Sequence, residues 1–317
     1  MKKSGFNLIY TKIIDLYESG DSVARMNLIS ELQGLPSNEK ILRFIGGNEG
    51  TNLGYVKEFV DFFIEFCKEA GVNEIFLRVE IDDFQTGLKH YLAFNKANIQ
   101  VTYIDFGNED YYNVRPQGLW ESLLFGIGTV KAKRFRLDAE KYVNKFIDFS
   151  TYCKNQGYPE IKNKLVWNSH IKGDAGTLSW HNTLKNKLGS LGYKKCTIHL
   201  YGDIEQEISG GDYFGFAKGL IDKNFEGLEL FATEYRGAGF HRLSDSDKEV
   251  FYLSRVHFDM TNDMEKLLDN INVIVRLKHT LFHWDHYEGY YATYWFDKQQ
   301  GTFVNKDLEL KKLYSTS

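Results

Sequence analysis

The chain has 317 residues, a length that suits a single α/β barrel, and 43% of them are apolar, enough for one large core. Its net charge is −4, with both signs interspersed and no long basic run, so nucleic acid is excluded as an expected partner. Cys67, Cys153 and Cys196 have no metal-ligand spacing, and two of them fall in apolar helical patterns, which predicts buried thiols rather than disulfides. Lys2 and Lys3 are followed by Asn7, Lys12, Asp15 and Glu18, which leaves no apolar core for a signal peptide. No stretch is long enough to span a bilayer, so the expectation is a cytoplasmic protein without a membrane partner, with export by another route left open. Oligomeric state is not legible.

Prolines number three and no linker or low-complexity stretch appears, so no domain boundary is expected. Residues 6–10 read as a first strand, although they suit a helix start equally well. Residues 41–45 read as a second. A helix is predicted over 53–70, where Val56, Phe59, Val60, Phe63 and Cys67 recur at helical spacing and Gly71 supplies a left-handed stop. Strands follow at 74–79 and 99–106. A second helix is predicted over 139–155, with Tyr142, Phe146, Phe149 and Cys153 on one stripe. Strands at 164–168, 196–201 and 228–233 come next. A helix over 245–255, capped by Asp245 or Ser246, a helical piece at 263–268 and a last strand at 273–283 complete the series. Eight strands alternating with helices predict a closed (β/α)8 barrel over residues 1–288. An open doubly wound sheet is the competitor, but neither Gly-x-Gly-x-x-Gly nor a Walker-type loop is present, and no cofactor is expected. Residues 289–317 are expected to form a hairpin or tail, with 290–296 turning at Gln299-Gln300-Gly301 toward 302–304.

In such a barrel, function sits where strands end. Arg43 lies within an apolar strand and needs an anionic partner; Gly46, Gly47, Asn48 and Glu49 follow it. The fourth strand runs out into Gly107, Asn108 and Glu109, an amide and a carboxyl at the mouth. The fifth ends in Trp167, Asn168, Ser169 and His170, and the next segment holds Trp180 and His181; these are plausible subsite residues. His199 and Tyr201, two apart on the sixth strand, share one side of it. Glu234 follows the seventh strand, where a carboxylate is costly to bury without purpose. It reads as an ion-pair partner of Arg43, as a nucleophile, or as both. Trp284 is placed to stack on a sugar ring, with His283, Asp285 and His286 beside it; the His-x-x-His spacing alone is a poor metal signature, and no metal is expected. The 15% share of aromatic residues suits sugar stacking and core packing equally.

Four segments carry a family resemblance: Leu-Arg-Phe-Ile-Gly-Gly-Asn (42–48), Phe-Gly-Asn-Glu (106–109), Ile-His-Leu-Tyr (198–201) and Thr-Glu-Tyr (233–235). In order and spacing they resemble clan A retaining glycoside hydrolases, above all the α-L-arabinofuranosidase and heparanase/xylosidase-like branches. The resemblance implies a carbohydrate substrate, Glu109 as general acid/base and Glu234 as nucleophile. It also implies sugar contacts from Arg43, Asn48, Asn108, His199 and Tyr201, to which Trp284 and Trp167 are added as aromatic candidates. Two features depart from the pattern: members of those branches usually carry an extra β-sandwich, and Tyr235-Arg236-Gly237 is not the arabinofuranosidase sequence after the nucleophile. A non-catalytic carbohydrate-binding barrel is the alternative from another class. A metal-dependent hydrolase using His199, His283 and His286 is a third.

Overall fold

In a computed structural model, eight parallel strands close into a barrel in sequence order, with β8 hydrogen-bonded back to β1. The structure describes residues 2–45, 55–107, 138–171, 175–203, 212–239, 254–278, 280–283, 292–297 and 299–315. The first half contains β1 (Lys3–Ile9), α1 (Tyr10–Glu18), α2 (Ser22–Gly34), β2 (Ile41–Ile45), α3 (Lys57–Glu69), β3 (Glu74–Val79), α4 (Phe84–Lys96) and β4 (Gln100–Phe106). The second contains α5 (Ala139–Asn155), β5 (Leu165–His170), α6 (Ala175–Ser190), β6 (Lys195–Asp203), α7 (Tyr213–Asn224), β7 (Glu229–Gly239), α8 (Arg255–Asn270) and β8 (Val275–Lys278). This is the expected (β/α)8 barrel.

The helices follow from the residues that start, face and end them. In α5, Asp138 accepts a hydrogen bond from the Lys141 amide at the N-terminus, and Tyr142, Phe146, Phe149 and Cys153 form the buried stripe. In α3, Val60, Phe63, Phe66 and Cys67 are buried, and Gly71, at φ +68°, turns the chain out of the helix. The helix expected over 245–255 lies mostly outside the described residues; Ser254 caps α8, which absorbs the expected piece at 263–268. Helices α1, α2, α4, α6 and α7 escaped the reading of the sequence. In α4 the reason is clear: its buried face includes Thr86, Gly87 and His90, which blur the apolar stripe.

Side-chain alternation along the strands builds two cores. Ile41, Phe76, Val166, Phe231, Val275 and Leu277 fill the barrel, with Tyr103 packed on Phe231 at a centroid distance of 4.7 Å. Leu42, Phe44, Ile75, Leu77, Ile104, Ile198 and Leu230 face outward and meet the helices. The inner plug closes the barrel, so polar side chains collect beyond it toward the strand ends. Gly5 permits the approach of β1 to β2: a Cβ there would lie 1.8 Å from the Ile41 carbonyl oxygen.

The expected strand at 273–283 is two strands. β8 completes the barrel, and β9 (Thr280–His283) joins β10 (Ala292–Asp297) and β11 (Thr302–Asn305) in a separate sheet of order β11-β10-β9. β10 and β11 form an antiparallel hairpin whose turn includes Gly301 at φ +64°. A last helix, α9 (Lys306–Tyr314), was not anticipated; Asn305 caps it, and Asp307 in its first turn pairs with Lys278 of β8. Cys67, Cys153 and Cys196 are free and buried. Among the described residues no helix is long and apolar enough to cross a membrane.

Candidate active site

The site is built around one fully buried cation. Arg43 extends from β2 into the barrel with no exposed surface. One terminal nitrogen donates to Glu234 Oε1 at 2.9 Å and to Asn7 Oδ1 at 3.2 Å; the other donates to Asp105 Oδ2 at 2.5 Å. Asn7 of β1 is itself tied across the barrel, its amide nitrogen donating to the carbonyls of Thr233 at 2.7 Å and Lys278 at 3.0 Å. Burial alone would lower the pKa of Arg43, but Asp105 and Glu234 outweigh burial and the net direction is upward. The Asp105 carboxyl is pushed up from its ordinary range by burial, against the opposing pull of Arg43 and His199.

Glu234 is 7% exposed, at the upper limit of this buried cluster. Its Oε2 accepts a hydrogen bond from the Tyr201 hydroxyl, and His199 Nδ1 lies 3.5 Å from the same oxygen. The carboxylate therefore has a cation on one oxygen and a phenol on the other, which fixes its plane. A kink in β7 makes this possible. Phe231 faces the inner plug and Ala232 the helices, so strict alternation would send residue 234 outward. The pairing of β7 slips in register against both neighbours, between Ile198 and His199 on β6 and between Ala232 and Tyr235 toward β8. The slip turns Glu234 inward and Tyr235 outward, where the Tyr235 hydroxyl donates to Glu265 of α8 at 2.7 Å.

The exit of β4 is held just as firmly. The Phe106 carbonyl accepts from the Tyr142 hydroxyl at 2.6 Å and from Asn168 Nδ2 at 3.0 Å, and the Gly107 amide donates to the Val79 carbonyl at 2.9 Å. Gly107 then takes φ +84°, a conformation that glycine reaches freely. Asn108 and Glu109 follow immediately and lie outside the described residues, as do Asn48, Trp284, Asp285 and His286.

Of the site residues expected from sequence, Arg43, His199 and Tyr201 converge on the carboxylate of a fourth, Glu234. Trp167 does not join them. It lies on the outer face of β5, fully buried, with Nε1 donating to the Tyr193 carbonyl at 3.3 Å and its ring against His181, so it has no face to offer a sugar. Trp180 and His181 belong to α6 and are core residues. The indole of Trp180 donates to the Asn168 carbonyl, and His181 bridges Ser169 at 3.0 Å and the Asn224 carbonyl at 2.9 Å. Burial holds the His181 imidazole pKa down to about 4. Asn7, Arg78 and Asp105 are buried polar residues of the barrel that were not among those expected. Arg78 and Asp105 each carried the signal that marked Arg43: a charge inside an apolar strand. Arg78 is 1% exposed and pairs with Glu80 at 3.1 Å. Among the described residues no group of three or more His, Cys, Asp or Glu side chains could hold a metal ion.

No protein-family model matches the sequence, and no curated protein matches it. Solved structures match the fold. A family 51 α-L-arabinofuranosidase from Bifidobacterium longum shares 13% identity at a TM-score of 0.55, over 91% of this chain and 66% of that one. A GH128 (subgroup VI) exo-β-1,3-glucanase from Aureobasidium namibiae shares 11% at a TM-score of 0.54, over 98% of this chain and 95% of the enzyme. A psychrophilic glycoside hydrolase family 10 endo-β-1,4-xylanase shares 11% at 0.54, over 98% and 96%. At such identities the likeness is one of fold. The chain is a (β/α)8 barrel of the shape that glycoside hydrolases adopt, the group its strand-end motifs resemble.

Proposed function

We propose that the protein is a retaining glycoside hydrolase in which Glu234 is the nucleophile and Glu109 the general acid/base. One observation carries the reading: Glu234 is turned into the barrel by an irregular β7 and gripped on both oxygens, by Arg43 and by the Tyr201 hydroxyl. A carboxylate held that way is positioned for attack rather than for solubility. The likeness in fold to glycoside hydrolases points to the same class of substrate, a carbohydrate.

In this reading Glu234 attacks the anomeric carbon while Glu109 protonates the departing glycosidic oxygen. The glycosyl-enzyme ester forms as the exocyclic C–O bond breaks. Glu109, now ionised, takes a proton from water, whose oxygen attacks the same carbon and expels Glu234 as the carboxylate. Two inversions give net retention. The scheme requires the two carboxyl groups to lie about 5–5.5 Å apart. Arg43 stabilises the negative charge that Glu234 carries before attack and regains on release, and Tyr201 fixes which lone pair faces the sugar. Asn108 is assigned the sugar 2-hydroxyl, and Asn48 and Trp284 further substrate contacts.

The test is a panel of 4-nitrophenyl glycosides, including α-L-arabinofuranoside, β-D-xyloside and β-D-glucuronide, with NMR of the anomer first released. The substrate turned over should give product of unchanged anomeric configuration. Glu234→Ala and Glu109→Ala should each lose at least about three orders of magnitude in kcat, by the size of catalytic-group effects. Azide should restore turnover to the Glu109 variant on these activated substrates. Full activity in either variant removes the assignment. Sugar binding without turnover across the panel would favour a carbohydrate-binding barrel instead.

A further inference from the structure

Arg43 serves two carboxylates with one positive charge, and only one of them is placed to react. Asp105 lies on β4 with 1% exposure against 7% for Glu234, so it is the more enclosed of the two. One of its oxygens accepts from Arg43; the other, Oδ1, is buried and has no hydrogen-bond partner among the described residues. Four charged or titratable groups surround it: Arg43 on β2, Arg78 on β3, and His199 and the Cys196 thiol on β6. Glu234 lies beyond Arg43, and from β5 the neighbour in register is the apolar Val166. A buried carboxylate with an unsatisfied oxygen carries a desolvation cost, which its bond to Arg43 offsets.

We propose that Asp105 is a positioning residue that divides the charge of Arg43 between two carboxylates and so governs the pH range over which Glu234 is ionised. Two anions on one guanidinium each raise the other's affinity for a proton. When Asp105 is ionised, Glu234 receives part of the cation; when Asp105 is neutral, Glu234 receives nearly all of it. The same bond to Arg43 also keeps the guanidinium in the plane from which it meets Glu234 Oε1.

The inference rests on Glu234 as the functional carboxylate, but its test does not need turnover. Carboxyl carbons are labelled with 13C, and the Glu234 resonance is identified by its loss in Glu234→Gln. Asp105→Asn keeps the shape and an oxygen for Arg43 while removing the charge. The Glu234 midpoint should then fall by about one pH unit, the usual effect of removing a nearby like charge. Asp105→Ser, smaller and open to a water, should move it the same way. A role in packing alone would leave the midpoint in place or, by loosening Arg43, raise it; either result overturns the proposal. If neither variant folds, the wild-type protein decides. Its Asp105 and Glu234 signals should titrate as a coupled pair, each curve showing two steps, and two independent single-step curves would overturn the proposal. Should a glycoside be hydrolysed, the acid limb of kcat/KM should move down with the NMR midpoint. Absence of hydrolysis with a shifted midpoint would count against the enzymatic reading and leave this one standing.

Discussion

Replacing Arg43 with methionine tests the electrostatic account of the site directly. The side chain is fully buried and satisfies Glu234, Asp105 and Asn7 at once. Methionine fills most of the volume, so little of the effect comes from a cavity. What remains is a pair of carboxylates, 1% and 7% exposed, without their cation. Removing one partner of a buried ion pair costs about 3–5 kcal/mol, and here two anions are orphaned, which places the expectation near 5 kcal/mol at neutral pH. The sign with pH follows from linkage. Without Arg43 both carboxyls have folded-state pKa values above their unfolded ones, so the deficit is small in acid and grows as pH rises through the carboxylate range. Urea unfolding followed by tryptophan fluorescence at several pH values between about 4 and 8 reads this out. Arg43→Met combined with Asp105→Asn and Glu234→Gln should recover most of the loss, because no buried charge is then left unpaired. A single variant as stable as wild type near pH 7, or a deficit independent of pH, would refute the reasoning.

Burial holds the His90 and His181 imidazole pKa values down to about 4, against an ordinary value of 6.5. Both contribute stability that is complete above 6.5 and lost as pH falls toward 4, so melting temperature should drop across that window and drop less in His90→Phe or His181→Phe. Trp167→Phe should lower the melting temperature through lost packing, at about 1–3 kcal/mol, while leaving kcat and KM for the best aryl glycoside unchanged; a raised KM would restore Trp167 to the site. Gly5→Ala drives a methyl group into the Ile41 carbonyl and should abolish soluble expression or cut stability severely, which a solubility assay and a thermal melt would show. Wild-type behaviour of that variant would mean β1 and β2 lie farther apart than described.

The barrel was legible because its strands are short, apolar and evenly spaced, and because α3 and α5 carry apolar stripes at helical spacing. Arg43 was legible as a charge that an apolar strand cannot tolerate alone. Arg78 and Asp105 are equally legible as charges inside apolar strands. Trp167 was misplaced by attending to its position at a strand end and not to its phase: Val166 faces the inner plug, so Trp167 must face the helices. The inward turn of Glu234 was beyond any such count. Alternation from Phe231 predicts the opposite direction, and only the register slip, a property of three strands together, reverses it. The split of β8 from β9 has a related cause: the stretch from Val273 to His283 reads as one strand, yet its two ends, parted at the polar Lys278-His279-Thr280, serve two sheets.

That slip makes one peptide unit the border between two environments. Glu234 looks into the barrel, while Tyr235, the next residue, grips α8 through Glu265, which Arg276 holds in turn at 2.8 Å. A helix on the outer wall is thus mechanically wired to the Glu234 carboxylate across a single peptide unit. Substitutions at Glu265 or Arg276, which do not touch Glu234, would reach its carboxylate by tilting the peptide unit between Glu234 and Tyr235, so the outer wall sets the angle at which Glu234 enters the barrel.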